Sequence, residues 1–327
     1  MKIKKIFLTI LLIIILAGFI YAIINPQNKG KMDNENGIKI VCTSFVGYDF
    51  VRNIVKDVEG INVTYLMDAG VDSHGFEPTA GQLIKMQKAD LLVYNGGEME
   101  NWTEQVIPTL DVSKTSLIKL MDCVDLLEEE EVDGAEEHDH EHEHQIGEID
   151  NVEWDEHVWT SPQNAIKIMQ KIEEKIEELD SSNKEIFKKN SESYINKIQE
   201  VDDEIWKIVN NAKRTKLIFG DRMPMKYFLE EFKLSASGAF NGCSTETEPS
   251  TRTLSYLIDT VRKENIPVVL YIENGNSKIA NIIAEETGAQ ALQIQTLHTI
   301  SKEDFEKGEN YVTLMQRNLE VLKKALQ

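Results

Sequence analysis

The histidines of this 327-residue chain are the residues whose chemistry is easiest to anticipate. Three of the seven, His74, His157 and His298, lie far apart in the sequence. The other four alternate with acidic residues in one tract and are His138, His140, His142 and His144. Neutral imidazole is a preferred ligand of Zn²⁺, and three nitrogen ligands plus a fourth group make its usual tetrahedral site. The three separate histidines could therefore hold zinc, whereas Mn²⁺ would be better served by carboxylates.

The histidine-rich tract, residues 136–145, is predicted to hold cations only loosely. In an extended chain, residues two apart lie roughly 6.6–7 Å from each other on one side, too far to share a metal unless the loop folds around it. Gly134 and Gly147 flank the tract, which has no apolar residues to bury, and this composition predicts a disordered loop. The twelve acids between residues 128 and 150 would raise the local cation concentration. A solvated acidic linker without any metal role is the alternative.

Composition and charge place the chain among globular proteins and exclude one class of partner. Hydrophobic residues make up 41% of the chain and charged residues 28%, and 327 residues are enough for two domains of ordinary size. The net charge of −21 excludes nucleic-acid binding, because the chain lacks the basic surface that would replace counterions on phosphates. The charge fits attraction of cations, although acidity that only keeps a protein dispersed is the alternative.

The N-terminus has the layout of a secretory signal, with its positive end inside. Three lysines among the first residues precede an apolar stretch over residues 6–24, which is just long enough to cross a bilayer as a helix. No small-residue cleavage site stands out, and no cysteine follows closely enough to accept a lipid. We therefore predict an uncleaved membrane anchor over residues 1–25 and a tether over residues 26–37, with cleavage and secretion as the alternative. Either way, the rest of the chain is expected to work outside the cytoplasm.

The cysteines do not form a disulfide scaffold, because Cys42, Cys123 and Cys243 are too few. Cys42 lies in an apolar, strand-like run and is predicted to be buried. A bridge between Cys123 and Cys243 is left open as an alternative.

Short β-branched runs alternate with helical patterns on both sides of a long helical segment, which predicts an α/β protein with two lobes built on mostly parallel sheets. In the first lobe, strands are predicted over residues 38–45, 61–67, 90–95 and 117–121, with helices over 46–58, 79–88 and 102–110. In the second lobe, strands are predicted over residues 216–220, 234–240, 267–273 and 289–297, with helices over 223–232, 251–263, 277–288 and 304–326.

The segment between the lobes carries apolar residues at helical spacing, with charges on the other face. Ser161 and Pro162 make a suitable start, and a bend is predicted at residues 179–183. We predict one long, rigid backbone helix that joins the lobes, with a metal site in the cleft between them, where polar ligands tend to bind. The predicted divisions are residues 38–162 for the first lobe, including an acidic histidine-rich loop over 128–150, residues 163–214 for the helix and residues 215–327 for the second lobe.

Each of the three separate histidines lies at the end of a predicted strand or just before a predicted helix. His74 follows the second strand, His157 precedes the linking helix, and His298 closes the last strand. In open α/β sheets such junctions lie along one rim of the cleft. A single histidine at such a place is most often structural, but three at equivalent edges of two lobes favour a metal site.

Several segments of the chain resemble the zinc/manganese-type solute-binding proteins of bacterial ABC importers. They are SFVGYDFVRNI, GVDSHGFEPTAGQ, DLLVYNGGEMENW, DEHVWTSPQNA, ETEPS and IAEETGA, and the resemblance runs from about residue 38 to the end. It implies two α/β lobes joined by a rigid backbone helix, a buried metal between them, and delivery to a membrane permease with its cytoplasmic ATPase. Members with an acidic histidine-rich loop just before the second ligand are usually zinc-type. The resemblance therefore implies a zinc-binding protein and not an enzyme. The chain is expected to be a monomer.

Carried over by position, the resemblance places the first two family ligands on His74 and His157. The third family ligand, usually a histidine or glutamate, falls on Arg222, whose guanidinium stays protonated and cannot coordinate a metal. The fourth, usually an aspartate after the last strand, falls on Gln295. His298, which follows shortly after, is the expected replacement.

The remaining ligand is left open between an oxygen of Asp221 or Glu248 and a water molecule. Arg222 is expected to pair with one of these two carboxylates and to orient it without touching the metal. The expected ligand set is therefore the three separate histidines together with one further oxygen donor.

The function expected from these observations is capture of Zn²⁺ outside the cytoplasm and its delivery to a permease. A zinc buffer or adhesin with the same fold that serves no permease is one alternative. A zinc hydrolase is another, but it would need an open coordination position and a general base beside the bound water. Glu156 and Glu77 are candidates for that base by residue type only.

Overall fold

A computed structural model of the chain describes residues 37–129, 153–242, 244 and 248–327. The predicted anchor and tether, most of the acidic loop with its four histidines, and Cys243 lie outside these residues. The backbone of His74 is described and its side chain is not. The described residues from Ile38 onward form one compact unit, and none of their helices is long and apolar enough to cross a membrane.

The first lobe is a four-stranded parallel sheet with helices between the strands. Its strands are β1 (Ile38–Cys42), β2 (Ile61–Tyr65), β3 (Leu91–Tyr94) and β4 (Ser116–Lys119), and its helices are α1 (Phe45–Ile54), α2 (Ala80–Gln87) and α3 (Thr103–Val106). The strand order is β2-β1-β3-β4. The strand predicted over residues 38–45 ends at Cys42 because the Ser44 side chain accepts a hydrogen bond from Gly47 N (3.2 Å) and so begins α1.

The linking segment is a pair of antiparallel helices, α4 (Pro162–Leu179) and α5 (Lys184–Asn210), separated by a 3₁₀ turn over Ser181–Asn183. Gln163 Nε2 near the start of α4 donates to Asp202 Oδ2 in the last third of α5 (2.6 Å). Beside the turn, Lys184 Nζ lies 2.7 Å from Glu177 Oε2. The bend predicted at residues 179–183 is thus a full reversal, after which the 27-residue α5 leads into the second lobe.

The second lobe is another four-stranded parallel sheet. Its strands are β5 (Lys216–Arg222), β6 (Ser235–Phe240), β7 (Val268–Ile272) and β8 (Gln290–Ile294), and its helices are α6 (Lys226–Phe232), α7 (Thr251–Glu264), α8 (Lys278–Thr287), α9 (Lys302–Glu306) and α10 (Tyr311–Leu326). The strand order, β6-β5-β7-β8, repeats that of the first lobe. The single helix predicted over residues 304–326 is two helices, because Gly308 adopts a left-handed φ of 74° and Asn310 caps α10 through a hydrogen bond from Thr313 N (3.0 Å).

The largest hydrophobic cluster of the described residues runs through both sheets, the linking helices and α10. Its buried members include Ile40, Ile168, Ile198, Phe219 and Tyr311, together with Cys42, which is a buried free thiol as predicted. In sheets of this strand order, ligands bind beyond the carboxyl ends of the strands, where the order reverses between β1 and β3 and between β5 and β7. The loops at that edge therefore position the candidate site.

Candidate metal site

His157 is fully buried and lies directly before the 3₁₀ turn Val158–Thr160 that leads into α4. Its backbone N donates to Asp155 Oδ1 (2.9 Å), and the same oxygen lies 3.4 Å from its Nδ1. Thr160 Oγ1 donates to its carbonyl oxygen (2.8 Å). The backbone carbonyl of Asp155 in turn accepts a hydrogen bond from Tyr227 OH (2.8 Å). These contacts fix both the backbone and the ring, with Nδ1 toward Asp155 and Nε2 on the opposite side.

His298 is buried in the loop that follows β8. Its backbone N donates to Glu273 Oε1 (3.0 Å), and its Nε2 lies 2.6 Å from Ser73 Oγ. Because Ser73 belongs to the first lobe, this second bond connects the two lobes. The Trp159 indole lies parallel to the His298 ring, with 6.3 Å between the ring centroids.

The rings of His157 and His298 approach each other, with 5.6 Å between their centroids and 64° between their planes. Trp159 contacts both, because its ring also packs edge-on against His157 at 5.6 Å. Its Nε1 donates to Thr296 O (2.9 Å), in the loop of His298. The structure therefore brings together two of the three predicted ligands, from two distant parts of the sequence.

The segment that carries His74 is bound to the loop after β8 by further hydrogen bonds. Gly70 N donates to Ile300 O (2.7 Å), and Thr299 Oγ1 donates to Val71 O (3.0 Å). These bonds place the backbone of His74 at the same edge of the cleft as the other two predicted ligands.

The buried carboxylates of Glu156 and Glu100 bind backbone N–H groups. The Glu156 carboxylate accepts from Met99 N with both oxygens (2.9 and 3.1 Å), and that of Glu100 accepts from Asn95 N (2.7 Å). Burial is the main cause that raises the pKa of Glu100 and of Glu273, each to about 7. The two hydrogen bonds from Met99 N give the Glu156 carboxylate a structural role.

The pKa of His157 reflects two opposed influences. Burial is the largest single one and lowers the pKa, whereas the carboxylates of Asp155, Glu156 and Glu129 raise it, and the net result is a pKa above the ordinary value. The same negative charges would attract a metal cation, which binds only to a deprotonated imidazole.

Arg222 pairs across the lobes with Asp72, with 3.0 Å between Nη2 and Oδ2. This contact differs from the expected pairing with Asp221 or Glu248. The Asp221 carboxylate accepts instead from two backbone N–H groups (2.8 and 3.2 Å), and the exposed Glu248 pairs with Lys278 (2.5 Å). Arg222 is thus linked to the segment that carries the first predicted ligand.

The described side chains alone do not make a complete metal site. Among them, no group of three or more His, Cys, Asp or Glu residues is close enough to hold one metal ion. The side chain of His74 and the four tract histidines are outside that set, so the ligand assignment stays a prediction. At the fourth family position, the Gln295 side chain donates to Gln293 Oε1 (3.2 Å).

Several residues that build the site were not predicted from the sequence, above all Asp155, Trp159 and Glu273. A signal for Asp155 was present, because an aspartate stands two residues before the histidine in both GVDSHGFEP and DEHVWTSP. The contacts of Trp159 and Glu273 depend on which strand ends and loops become neighbours in the folded chain. Local sequence patterns do not contain that information.

Comparison with known proteins places the chain in one family. The family model described as ZnuA, zinc-uptake complex component A, periplasmic, matches residues 40–325. The chain belongs to this family. The ZnuA family consists of solute-binding proteins and not of enzymes, which confirms the prediction that the chain is not an enzyme.

Relatives of the chain carry zinc in their names. The zinc-binding lipoprotein AdcA of Streptococcus pneumoniae (strain R6) is 32% identical over 327 residues, which cover 98% of this chain and 60% of that protein. The high-affinity zinc uptake system protein ZnuA of Bacillus subtilis (strain 168) is 32% identical over 303 residues, which cover 92% of each chain. The chain thus spans about 60% of the length of AdcA and nearly the whole length of the Bacillus protein.

A solved structure confirms the fold. The Zn(II)-bound ZnuA-like domain of Streptococcus pneumoniae AdcA superposes with a TM-score of 0.72 at 30% sequence identity, covering 89% of this chain and 99% of that domain. The predicted class, an α/β protein with two lobes on parallel sheets and a long helix, is therefore confirmed.

Proposed function

We propose that this chain captures Zn²⁺ outside the cytoplasm and delivers it to the permease of an ABC importer, which works with a cytoplasmic ATPase. The observation that carries the proposal is the convergence of the buried His157 and His298 rings, 5.6 Å apart, at the edge of a two-lobed fold. The zinc-uptake description of the family and the zinc-binding names of its members support zinc as the cargo.

The proposed zinc ligands are His74, His157 and His298. Asp155 faces the Nδ1 side of His157, which leaves Nε2 as the coordinating nitrogen, as in the carboxylate–histidine pairs of other zinc sites. Three imidazoles suit Zn²⁺ better than Mn²⁺, which prefers oxygen donors. Zinc is therefore the favoured cargo, and manganese is the alternative.

The fourth ligand is proposed to be water. Asp221 and Glu248 are the carboxylate alternatives, but Asp221 already accepts two backbone hydrogen bonds, and Glu248 is exposed and paired with Lys278. Arg222 is proposed to position the site without binding the metal. Its partner, Asp72, lies in the segment that carries the first ligand, and the ion pair restrains that segment against the second lobe.

The acidic histidine-rich tract is proposed to collect cations with low affinity. Its histidines are His138, His140, His142 and His144. The described segments before and after the acidic loop are paired with each other. Glu129 N donates to Glu153 O (2.7 Å), and Asp155 N donates to Leu127 O (2.9 Å). Because Asp155 contacts the His157 ring, cations released from the tract would leave it close to the tight site.

The division of the chain and its attachment to the membrane are also proposals. The proposed parts are an anchor over residues 1–25, a tether over 26–37, a first lobe over 38–162, a linking segment over 163–214 and a second lobe over 215–327. An uncleaved apolar anchor would keep the protein, as a monomer, at the outer face of the membrane. Attachment there would raise its effective concentration near the permease.

Reconstitution tests the delivery half of the proposal. The permease and its ATPase in liposomes should hydrolyse ATP faster with the zinc-loaded protein than with the metal-free protein. His298→Ala, which lacks one proposed ligand, is the matched control and should stimulate hydrolysis less at a zinc concentration that saturates the wild type. A chain that binds zinc tightly but does not stimulate hydrolysis would instead be a zinc buffer or an adhesin.

A further inference from the structure

The loop that carries His298 contains a backbone conformation that needs support. Leu297 has a φ of 59°, in the left-handed region that residues with a bulky side chain rarely adopt. The Leu297 side chain is buried in the hydrophobic core. A conformation of this kind persists only where the surrounding contacts determine it. The turn next to His298 therefore depends on groups outside the loop.

Glu273 supplies such contacts from the end of the neighbouring strand. Its Oε2 accepts from Thr296 N (2.7 Å), and its Oε1 accepts from Thr296 Oγ1 (2.8 Å) and from His298 N (3.0 Å). The carboxylate thus binds the residues on both sides of Leu297. Glu273 directly follows β7, while the loop follows β8, which pairs with β7 in the sheet. One buried side chain therefore bridges two adjacent strand ends and holds the turn between them.

The backbone held by Glu273 also orients the rings of the site. Thr296 O, in the same turn, accepts from Trp159 Nε1 (2.9 Å), and the Trp159 indole lies parallel to the His298 ring. The His298 Nε2 then lies within hydrogen-bond distance of the first lobe, at Ser73 Oγ (2.6 Å). A shift of this turn would move the imidazole away from His157.

We propose that Glu273 is a positioning residue for metal binding, which holds His298 in the orientation that brings its imidazole to the cation. The inference rests on the proposed zinc site and adds a residue that does not touch the metal. A carboxylate is needed because three donors converge on two oxygens. Glutamine has one oxygen and one NH₂ group, and the NH₂ group would face a backbone N–H. Glutamine therefore cannot reproduce the three bonds.

Competition with a zinc chelator tests this role in the full chain. Glu273→Gln should raise the zinc dissociation constant about 10–100-fold, the loss typical of groups that orient a metal ligand. Glu100→Gln is the matched control, because Glu100 is also buried and accepts from the backbone N–H groups of Asn95 and Gly96 in the first lobe. The control should lower thermal stability and leave the zinc affinity unchanged.

A spectroscopic measurement separates positioning from folding. The visible absorption of bound Co²⁺ depends on the geometry of its ligands, and Glu273→Gln should shift this absorption relative to the wild type. A smaller folded fraction alone would lower the amount of bound Co²⁺ without shifting its spectrum. If Glu273→Gln does not fold, Thr296→Val decides, because it removes one of the three donors to the carboxylate and should weaken zinc binding to a smaller degree.

Unchanged zinc affinity together with an unchanged Co²⁺ spectrum in folded Glu273→Gln would overturn the inference, as would wild-type affinity in Thr296→Val if only that variant folds. His298→Ala is the separate check on the proposed site. If His298→Ala binds zinc like the wild type, the ligand set is wrong and the inference fails with it. If His298→Ala weakens binding and Glu273→Gln does not, the site stands and only the positioning role is overturned.

Discussion

Asp155 illustrates how one residue can prepare a buried histidine for a metal. It accepts from the backbone N of His157 (2.9 Å) and faces the Nδ1 side of the ring (3.4 Å), so a single carboxylate fixes both the main chain and the imidazole. The sequence identified His157 as a ligand candidate because the histidine stands at a junction before a helix. Which nitrogen faces the cleft could not be predicted, because that depends on the side-chain contact with Asp155.

Asp155→Asn should weaken zinc binding about 10–100-fold, because an amide keeps the shape of the side chain but loses the charge beside the imidazole. Chelator competition at constant pH measures the change. Asp111→Asn is the control, since Asp111 is exposed, pairs with Lys114 (2.7 Å) and should bind zinc like the wild type after substitution. Wild-type affinity in Asp155→Asn would show that other contacts suffice to orient His157.

Side-chain pairs between the two lobes could also not be predicted from the sequence. Arg222 was recognised as a residue that cannot coordinate a metal, but its ion pair with Asp72 joins parts of the chain that meet only after folding. Local patterns give the side-chain type and the edge of the sheet on which it stands. They do not show how the two lobes pack against each other, and that packing decides which residue Arg222 pairs with.

The positions of strands and helices along the chain were predicted more reliably than the direction in which one helix follows another. All eight strands of the described sheets lie within or close to the predicted ranges, because buried parallel strands are short β-branched runs. The linking segment was predicted as one bent helix, since its apolar spacing continues through the turn. The reversal comes from Asp180, whose Oδ1 accepts from Ser182 N (3.2 Å) and so supports a turn in place of another helical one.

The junction of α4, α5 and α6 contains two neighbouring carboxyl groups, those of the half-buried Glu231 and the buried Asp202. Glu231 on α6 accepts from Ser161 Oγ and from Gln163 N (3.4 Å), and Gln163 Nε2 donates to Asp202 Oδ2 on α5 (2.6 Å). Burial, and after it the neighbouring Asp202 carboxyl group, raise the pKa of Glu231 to about 8, although the bond from Ser161 lowers it. Glu231 is therefore protonated at neutral pH in the folded chain.

Stability should fall with rising pH because of this group. Its folded pKa of about 8 lies above the ordinary value of 4.5, so its contribution is full below about pH 4.5 and is lost as the pH rises through about 8. Glu231→Gln, which cannot ionise, should lose less stability than the wild type between about pH 5 and about pH 9. Calorimetric melting curves measure this difference. Glu230→Gln is the control, because Glu230 is an exposed neighbour paired with Lys233 (2.6 Å), and its stability should change with pH as that of the wild type does. The same pH dependence in Glu231→Gln and in the wild type would contradict the prediction.

Contacts in two regions of the described chain join its parts to one another, namely the cleft edge and the helices behind the cleft. At the cleft, hydrogen bonds and an ion pair join the segment of His74 to the second lobe. Behind it, the buried Asp49 on α1 accepts from Tyr194 OH on α5 (2.5 Å) and from Tyr311 N on α10 (2.9 Å). The acidic composition of the chain predicted its attraction for cations. It could not predict the contacts at the cleft edge or those of Asp49, because these form only when both lobes and α10 are in place.

Deletion of residues 136–145 should leave one tight zinc equivalent bound and remove only weaker equivalents. The reason is that the proposed tight site uses none of the tract histidines, which are spaced too far apart in an extended chain to share a metal. Titration calorimetry counts the equivalents. Replacement of the four tract histidines by asparagine is the matched control, because it keeps the length and the acids. Loss of the tight equivalent in either variant would mean that the tract forms the main site.

A crystal structure of the zinc-loaded protein, with anomalous scattering measured at the zinc edge, tests the central claim most directly. We expect one strong peak between His74, His157 and His298, with zinc–nitrogen distances of about 2.0–2.1 Å and a water molecule as the fourth ligand. A strong peak that contacts Asp221 in place of His298, or that lies in the histidine-rich tract, would contradict the proposed site.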